Sequence, residues 1–100
     1  MKDEFFEKKL AKYLSQAGRC YVCRKKLMIS EAQWAHIIPQ TKRYLIKYTP
    51  EIIHHRLNAR ITCAGCNSKI LMDPKTHPVE ASSLINKILK AVENERKNND

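Results

Sequence analysis

The sequence has no long apolar run, no basic leader segment and no zinc-protease motif. Its 100 residues contain nothing near the roughly 20 consecutive apolar residues that a membrane helix requires. The first segment is acidic and amphipathic, whereas an export signal places a basic stretch before an apolar core. The absence of H-E-x-x-H excludes a zinc metalloprotease of that type. We therefore expect a cytoplasmic protein without a membrane partner.

Acidic residues are scarce in the middle of the chain. The net charge is +9, from 19 Lys and Arg against 10 Asp and Glu. Residues 19–69 contain only Glu31 and Glu51 as acids, and this segment carries +8 of the excess. A field of one sign over one segment indicates a polyanionic partner. DNA or RNA ranks before an anionic lipid, since no amphipathic helix carries the basic excess. A basic surface kept for solubility is the alternative.

Two apolar stripes of helical period lie near the two ends of the chain. The first predicts a helix over about residues 3–17 that ends at Gly18. The second, opened by Pro78, predicts a helix over about residues 78–95, with a polar tail, Glu93–Asp100, that frays. Each stripe serves either the core or a homodimer interface.

Short β-like runs replace the helical pattern between these two helices. They cover residues 26–29, 33–38 and 59–63. Short helices are expected after Pro50 and over residues 64–72. No repeat or low-complexity linker interrupts the chain, which predicts one domain over residues 1–100. Its expected class is α+β, with a core over about residues 19–72.

The four cysteines form two C-x2-C pairs, Cys20 with Cys23 and Cys63 with Cys66. Two thiolates at this spacing bind one ion from a tight turn, and two such turns complete a tetrahedral sulfur shell for Zn²⁺. Disulfides, which need an oxidising compartment, and redox chemistry, which needs no second pair, are the weaker alternatives. The pattern predicts a structural zinc ion with no open position for catalysis.

Histidine and asparagine residues accompany the cysteines in a fixed order. The run WAHIIP over residues 34–39 contains His36, the run HHRLN over residues 54–58 ends at Asn58, and Asn67 directly follows the second cysteine pair. This order, over about residues 19–70, resembles the HNH (ββα-metal) endonuclease family. The resemblance implies a small zinc-stapled ββα-metal core, in which a two-stranded hairpin and a helix hold a catalytic ion, flanked by N- and C-terminal helices.

The resemblance also implies roles for three side chains. His36 matches the general base that takes a proton from the attacking water, a task that imidazole suits because its pKa lies near working pH. Asn58 matches the asparagine whose amide pins the loop against the strand. Asn67 falls where the family carries a ligand of the catalytic divalent ion, such as Mg²⁺, Mn²⁺ or Ni²⁺.

One position departs from the family pattern. Many members carry a carboxylate ligand directly before the catalytic His, whereas Ala35 has no ligand atom. The ion then needs another ligand, for which His55 is the first candidate and His54 and Asp73 are weaker ones. An imidazole ligand favours transition-metal ions over Mg²⁺.

Two function classes remain open, and both require nucleic-acid contacts. We assign phosphate contacts to Lys42, Arg43, Lys47 and Arg56. The first class is a metal-dependent DNA endonuclease. The second is a non-catalytic, zinc-stabilised nucleic-acid-binding module, which Ala35 favours. A nucleobase deaminase is excluded, because it needs a Glu two residues after its His or Cys ligand, and His36 is followed by two isoleucines.

Overall fold

Four α-helices, two β-strands and two 3-10 helices make up residues 4–98, the part of the chain that the computed structural model describes. The α-helices are α1 (Glu4–Ser15), α2 (Lys42–Tyr48), α3 (Pro50–Ile53) and α4 (Pro78–Asn98). Strands β1 (Gln33–His36) and β2 (Ala59–Thr62) form an antiparallel pair, and the 3-10 helices cover Arg56–Asn58 and Ala64–Ile70. This composition confirms the expected α+β class. Residues 1–3, which include the predicted start of the first helix, and residues 99–100 lie outside the description.

The described chain forms two compact units, each with buried residues of its own. The knuckle unit contains residues 4–35 and 59–70. The histidine unit contains residues 36–58 and 71–98.

The knuckle unit has a small core that includes two of the cysteines. Its buried residues are Cys20, Leu27, Ala32, Ile61 and Cys66. The Gln16 side chain connects the end of α1 to β2, since its amide accepts from the backbone N–H of Ile61 at 2.9 Å and donates to the Ile61 carbonyl at 2.9 Å. Helix α1 itself has no fully buried residue, so its stripe packs only in part.

The end of α1 differs from the predicted glycine stop. The backbone N–H of Gly18 donates to the carbonyl of Tyr13, and that of Ala17 donates to the carbonyl of Leu14. This pair of bonds is the Schellman motif, which places Ala17 in the left-handed position, where its φ is 56°. Gly18 follows with a φ of 68°. The chain therefore uses an alanine where the motif favours glycine.

The histidine unit buries the stripe of α4. One cluster contains Ile38, Tyr44, Ile53 and Ala81, and another contains Ile52, Ile88 and Val92. The stripe of this helix thus serves the core of its unit. Helix α2 begins at a Thr41 cap, whose hydroxyl accepts from the backbone N–H of Tyr44 at 3.3 Å. Helix α3 begins with Pro50 in its first turn, as predicted.

Helix α4 continues through the polar tail that was expected to fray, and the expectation is wrong as far as Asn98. Arg96 donates to the Glu51 carboxylate at 2.8 Å, and Glu95 lies 3.5 Å from Arg56. Lys97 pairs with Glu93 one turn earlier at 3.3 Å. The first two contacts connect the last turns to the rest of the unit, the third lies within the helix, and all three favour the helix where apolar residues have ended.

The two strands do not form the expected hairpin. Residues 37–58 separate β1 from β2, and α2 and α3 lie within that stretch. Of the predicted run over residues 26–29, only Lys26 takes part in a β-bridge, opposite Arg19. Among residues 4–98, no helix combines the length and the apolar character that crossing a bilayer would need.

Candidate functional site

The four cysteines converge in the knuckle unit. All four lie among the described residues as free thiols, and their sulfur atoms lie within 4.8 Å of one another. The Sγ atoms of Cys23 and Cys63 are 4.0 Å apart. With Zn–S bonds of about 2.3 Å, a tetrahedral site places its sulfurs about 3.8 Å apart. The donor set and its spacing therefore fit a single metal ion.

The first cysteine pair lies on a tight turn that directs backbone N–H groups toward sulfur. Arg24 closes the turn with a φ of 66° and donates its N–H to the Cys20 carbonyl at 3.0 Å. Burial opposes ionisation of Cys20, but N–H bonds from Cys23, Cys63 and Val22 outweigh it and lower the pKa of Cys20 to about 6. The turn thus favours a thiolate, the form in which cysteine binds metal.

The neighbouring thiol of Cys66 behaves in the opposite way. A side-chain hydrogen bond with Cys63, together with burial, raises the pKa of Cys66 to about 12. Several negative charges cannot share so small a volume without a cation. A bound dication would remove this conflict and allow all four sulfurs to ionise.

In the histidine unit, the fully buried side-chain amide of Asn58 fixes the backbone at two segments, the one after His36 and the one before His54. The Asn58 side chain accepts from the Ile38 N–H at 2.8 Å and donates to the Ile38 carbonyl at 3.1 Å and to the Ile53 carbonyl at 2.8 Å. The Ile37 N–H also donates to the Asn58 backbone carbonyl at 2.9 Å. These bonds hold the segment after His36 against the end of α3.

His36 lies at the end of β1 with its ring beside His54. The His36 Nε2 and the His54 Nδ1 are 3.4 Å apart, and the two rings meet edge to face, with centroids separated by 5.5 Å. Partial burial, and then the charge of His54, lower the pKa of His36 below its ordinary value of 6.5. The lowered pKa favours the neutral form of His36 at pH 7, and the two facing nitrogens lie within hydrogen-bond distance, with the donor set by the tautomer.

From the sequence, His55 ranks above His54 as a candidate ligand of the catalytic ion, whereas in the structure it is the ring of His54 that lies beside His36. The His55 Nε2 lies 3.2 Å from a Glu95 carboxylate oxygen, and its Nδ1 accepts from the Leu57 N–H at 3.1 Å. Both ring nitrogens are therefore engaged before any ion arrives, and an ion at the Nδ1 of His55 would have to displace the Leu57 N–H. The HH pair was visible in the sequence, but which member faces His36 depends on where α3 ends.

The remaining predicted ligands lie apart from the histidine pair along the chain. Asn67 belongs to the 3-10 helix Ala64–Ile70 of the knuckle unit, where its side chain is half-buried. Asp73 belongs to the histidine unit and accepts from the Tyr44 hydroxyl at 2.6 Å and from the Lys75 N–H at 2.9 Å. The Tyr44 hydrogen bond, and then the Lys75 N–H bond, lower the pKa of Asp73.

Three of the four predicted phosphate contacts share helix α2. Lys42, Arg43 and Lys47 are all exposed there, whereas Tyr44 on the same helix is buried against the core. Arg56 is also exposed, and a Glu95 carboxylate 3.5 Å away partly neutralises it. The outer surface of α2 is thus the most basic predicted contact surface of the histidine unit.

The sequence analysis did not single out a second basic surface in the knuckle unit. The guanidinium carbons of Arg24 and Arg60 lie 5.7 Å and 5.1 Å from the centre of the exposed Tyr21 ring. Tyr21, which lies between Cys20 and Cys23, was the sequence feature that could have indicated this surface. The Arg60 guanidinium also donates to the Ala59 carbonyl at 2.8 Å, and the two cations together place positive charge beside one exposed ring.

Comparisons with known proteins found no matching family model, no matching curated protein and no matching solved structure.

Proposed function

We propose that this chain is a metal-dependent endonuclease of the HNH type that hydrolyses DNA phosphodiester bonds. The observation that carries the proposal is the Asn58 amide, which bonds to the backbone at residues 38 and 53 and thereby holds His36 in place. A general base needs a fixed position and a neutral form at working pH. His36 meets the second need because burial and the charge of His54 lower its pKa.

In the proposed reaction, His36 takes a proton from a water molecule as its oxygen attacks phosphorus. The bond from phosphorus to the leaving 3′ oxygen then breaks. A divalent ion, when bound, would stabilise charge on the phosphate and on that leaving oxygen. Asn67 is the ligand that the family resemblance implies, whereas His55 fits poorly because both of its ring nitrogens are engaged.

DNA is the proposed substrate because the basic residues form exposed surfaces. Lys42, Arg43 and Lys47 on α2 provide contacts to the phosphate backbone. Such contacts release counterions, so affinity falls steeply as the salt concentration rises. No element here carries an evident set of base-reading side chains, and backbone contact therefore dominates the proposal.

A structural zinc ion on Cys20, Cys23, Cys63 and Cys66 completes the proposal. The sulfur spacing and the N–H bonds to Cys20 support it. Four thiolates fill a tetrahedral shell, so this ion stabilises the knuckle unit and takes no part in hydrolysis. Free thiolates also require a reducing compartment, which supports a cytoplasmic location.

A nucleic-acid-binding module without catalysis is the second candidate, and Ala35 favours it. This residue precedes His36 and is 1% exposed, with no atom that binds a metal ion. The same basic surfaces and the same zinc site would serve such a module. The two candidates differ only in whether the phosphodiester bond is broken.

Nicking of supercoiled plasmid by the zinc-loaded full chain tests the proposal. The reaction is run without a second ion and with Mg²⁺ or Mn²⁺, each at low ionic strength, and relaxed product is measured over time. We expect nicking that depends on the added ion. Binding to the same plasmid without nicking under any of these conditions would replace the endonuclease with the binding module.

A further inference from the structure

We propose that His36 and His54 form a two-imidazole binding site for a divalent late transition-metal ion, such as Ni²⁺, Cu²⁺ or Zn²⁺. The site lies within the histidine unit and is separate from the four-cysteine cluster. It uses the Nδ1 of His54, which takes no role in the proposed hydrolysis, and the Nε2 of His36. An ion bound here would occupy the lone pair that the proposed general base needs, so it would inhibit the proposed hydrolysis. Binding at this pair does not depend on whether the chain cleaves DNA.

The spacing of the two nitrogens carries the proposal. The His36 Nε2 and the His54 Nδ1 are 3.4 Å apart. Two imidazole nitrogens bound to one ion at about 2.0–2.1 Å with a tetrahedral angle lie about 3.3–3.4 Å from each other. The same separation is that of a hydrogen bond between the two rings. An entering ion would replace the shared proton and change the separation of the two nitrogens little.

The backbone that bears both rings is already fixed. His36 precedes Ile37 and Ile38, whose backbone groups bond to Asn58, and His54 follows Ile53, whose carbonyl accepts from the same Asn58 side chain. The His54 N–H also donates to the Pro50 carbonyl at 2.8 Å. Ligands held in place before binding lose little conformational entropy when an ion arrives.

The environment of the pair leaves room for exchangeable ligands. The His54 residue is exposed and His36 is half-buried, so an ion can reach both rings from solvent. Within residues 4–98, the four cysteines are the one group of three or more His, Cys, Asp or Glu side chains close enough to hold an ion. Water would therefore complete the coordination of an ion at the histidine pair.

Imidazole donors also select among ions. For nitrogen ligands the affinity rises from Mn²⁺ to Ni²⁺ and Cu²⁺, and Zn²⁺ binds less tightly than Cu²⁺. Mg²⁺ requires oxygen ligands and is expected to leave the pair empty. This order of ion affinities distinguishes the histidine pair from a metal site built of oxygen ligands.

The test is equilibrium dialysis of the zinc-loaded full chain against Ni²⁺, with bound nickel and zinc counted per chain. Wild-type protein is expected to bind one nickel ion beyond its cysteine-bound zinc. His54→Ala and His54→Gln are expected to weaken nickel binding by about 100-fold, because a single imidazole loses the gain from chelation. His77→Ala is the matched control, since His77 is exposed in the same unit and lies outside the pair.

Two results would overturn the proposal. One is nickel binding by the His54 variants that equals that of the wild type. The other is an equal loss in His77→Ala, which would indicate scattered surface binding. As a second readout, Zn²⁺ added to the zinc-loaded protein should shift the imidazole NMR signals of His36 and His54 and leave that of His77 in place. Neither readout requires DNA, so a failure of the proposed nuclease activity leaves this test intact.

Discussion

At the scale of single residues, Asn58 joins two segments of the histidine unit through its side chain. Its side chain is fully buried and makes three hydrogen bonds to the backbone at residues 38 and 53. A buried amide whose partners are also buried cannot be removed without leaving those partners unsatisfied. The residue therefore links stability of the fold to the position of His36.

We predict that Asn58→Ala lowers the free energy of unfolding by about 3 kcal/mol, from the lost bonds and the unpaired backbone groups. Urea denaturation followed by circular dichroism measures the change. Asn86→Ala, on the exposed surface of α4, is the control and should change stability by less than about 0.5 kcal/mol. A loss below about 1 kcal/mol in Asn58→Ala would contradict the role assigned to this amide.

His36 provides a second prediction at this scale. Burial first, and the charge of His54 second, hold its pKa below 6.5. The unfolded chain therefore binds this proton more tightly, and the corresponding stability is lost as the pH falls below 6.5 toward the folded pKa. In His54→Ala, we expect the pKa of His36 to move up toward 6.5.

An NMR titration of the imidazole signals without a second metal ion measures the pKa of His36 in the wild type and in His54→Ala. His77→Ala should leave the His36 titration unchanged. A midpoint for His36 at or above 6.5 in the wild type would show that the ring is neither desolvated nor influenced by its neighbour.

At the scale of elements, the end of α1 has an alanine at the position where its capping motif favours glycine. Ala17 occupies the left-handed position of the Schellman motif, with its side chain exposed. The conformation costs alanine about 1 kcal/mol and costs glycine almost nothing. The gain from glycine is partly offset because glycine also makes the unfolded chain more flexible.

We predict that Ala17→Gly raises the free energy of unfolding by about 0.5 kcal/mol or slightly more. Ala11→Gly, in the exposed interior of the same helix, should lower it by about 1 kcal/mol. Thermal denaturation of both variants and the wild type shows whether each substitution raises or lowers the stability. Destabilisation by both substitutions would rule out the left-handed conformation of Ala17.

Elements were predictable where the pattern was local. The stripes of α1 and α4 and the proline at the start of α3 could be identified from neighbouring residues. Helix α2 was not predicted, because KRYLIKY has no clear stripe and its stability depends on the Thr41 cap and on burial of Tyr44. The polar end of α4 depends on ion pairs with residues near position 51, which no local pattern reveals.

The site was predictable to a similar extent. The cysteine spacing predicted that four sulfur atoms lie close enough together to hold a metal ion. The resemblance singled out Asn58, whose amide makes the backbone bonds described above. The choice between His54 and His55 was not predictable, because adjacent residues point in different directions and the turn after α3 decides which one meets His36.

At the scale of the whole molecule, a metal ion is expected to stabilise a chain whose knuckle unit has a core cluster of five buried residues around the cysteines. Two of the five buried residues in that core are Cys20 and Cys66 themselves. Small domains with so little apolar burial depend on cross-links or metals for stability. Binding of zinc to four thiolates would then contribute directly to folding.

We predict one zinc ion per chain in purified protein and a lower melting temperature after chelation or in Cys63→Ser. Hydrogen exchange of backbone amides shows which of the two units loses stability when zinc is removed. The Ile61 amide, bonded to Gln16 in the knuckle unit, should lose protection when zinc leaves. Ser82→Ala, on the exposed surface of α4, is the control for the substitution. Unchanged protection of Ile61 after complete removal of zinc would contradict a stabilising role for the metal.

The central proposal is that His36 acts as the general base of phosphodiester hydrolysis. The alternative is that the chain binds nucleic acid without cleaving it. The most direct measurement compares His36→Ala with His77→Ala, both zinc-loaded, for affinity to one DNA and for nicking of that DNA with Mn²⁺. The account predicts that both variants bind as the wild type does, whereas His36→Ala loses at least about 100-fold in nicking rate. Equal nicking by the two variants, or nicking by neither them nor the wild type, would contradict it.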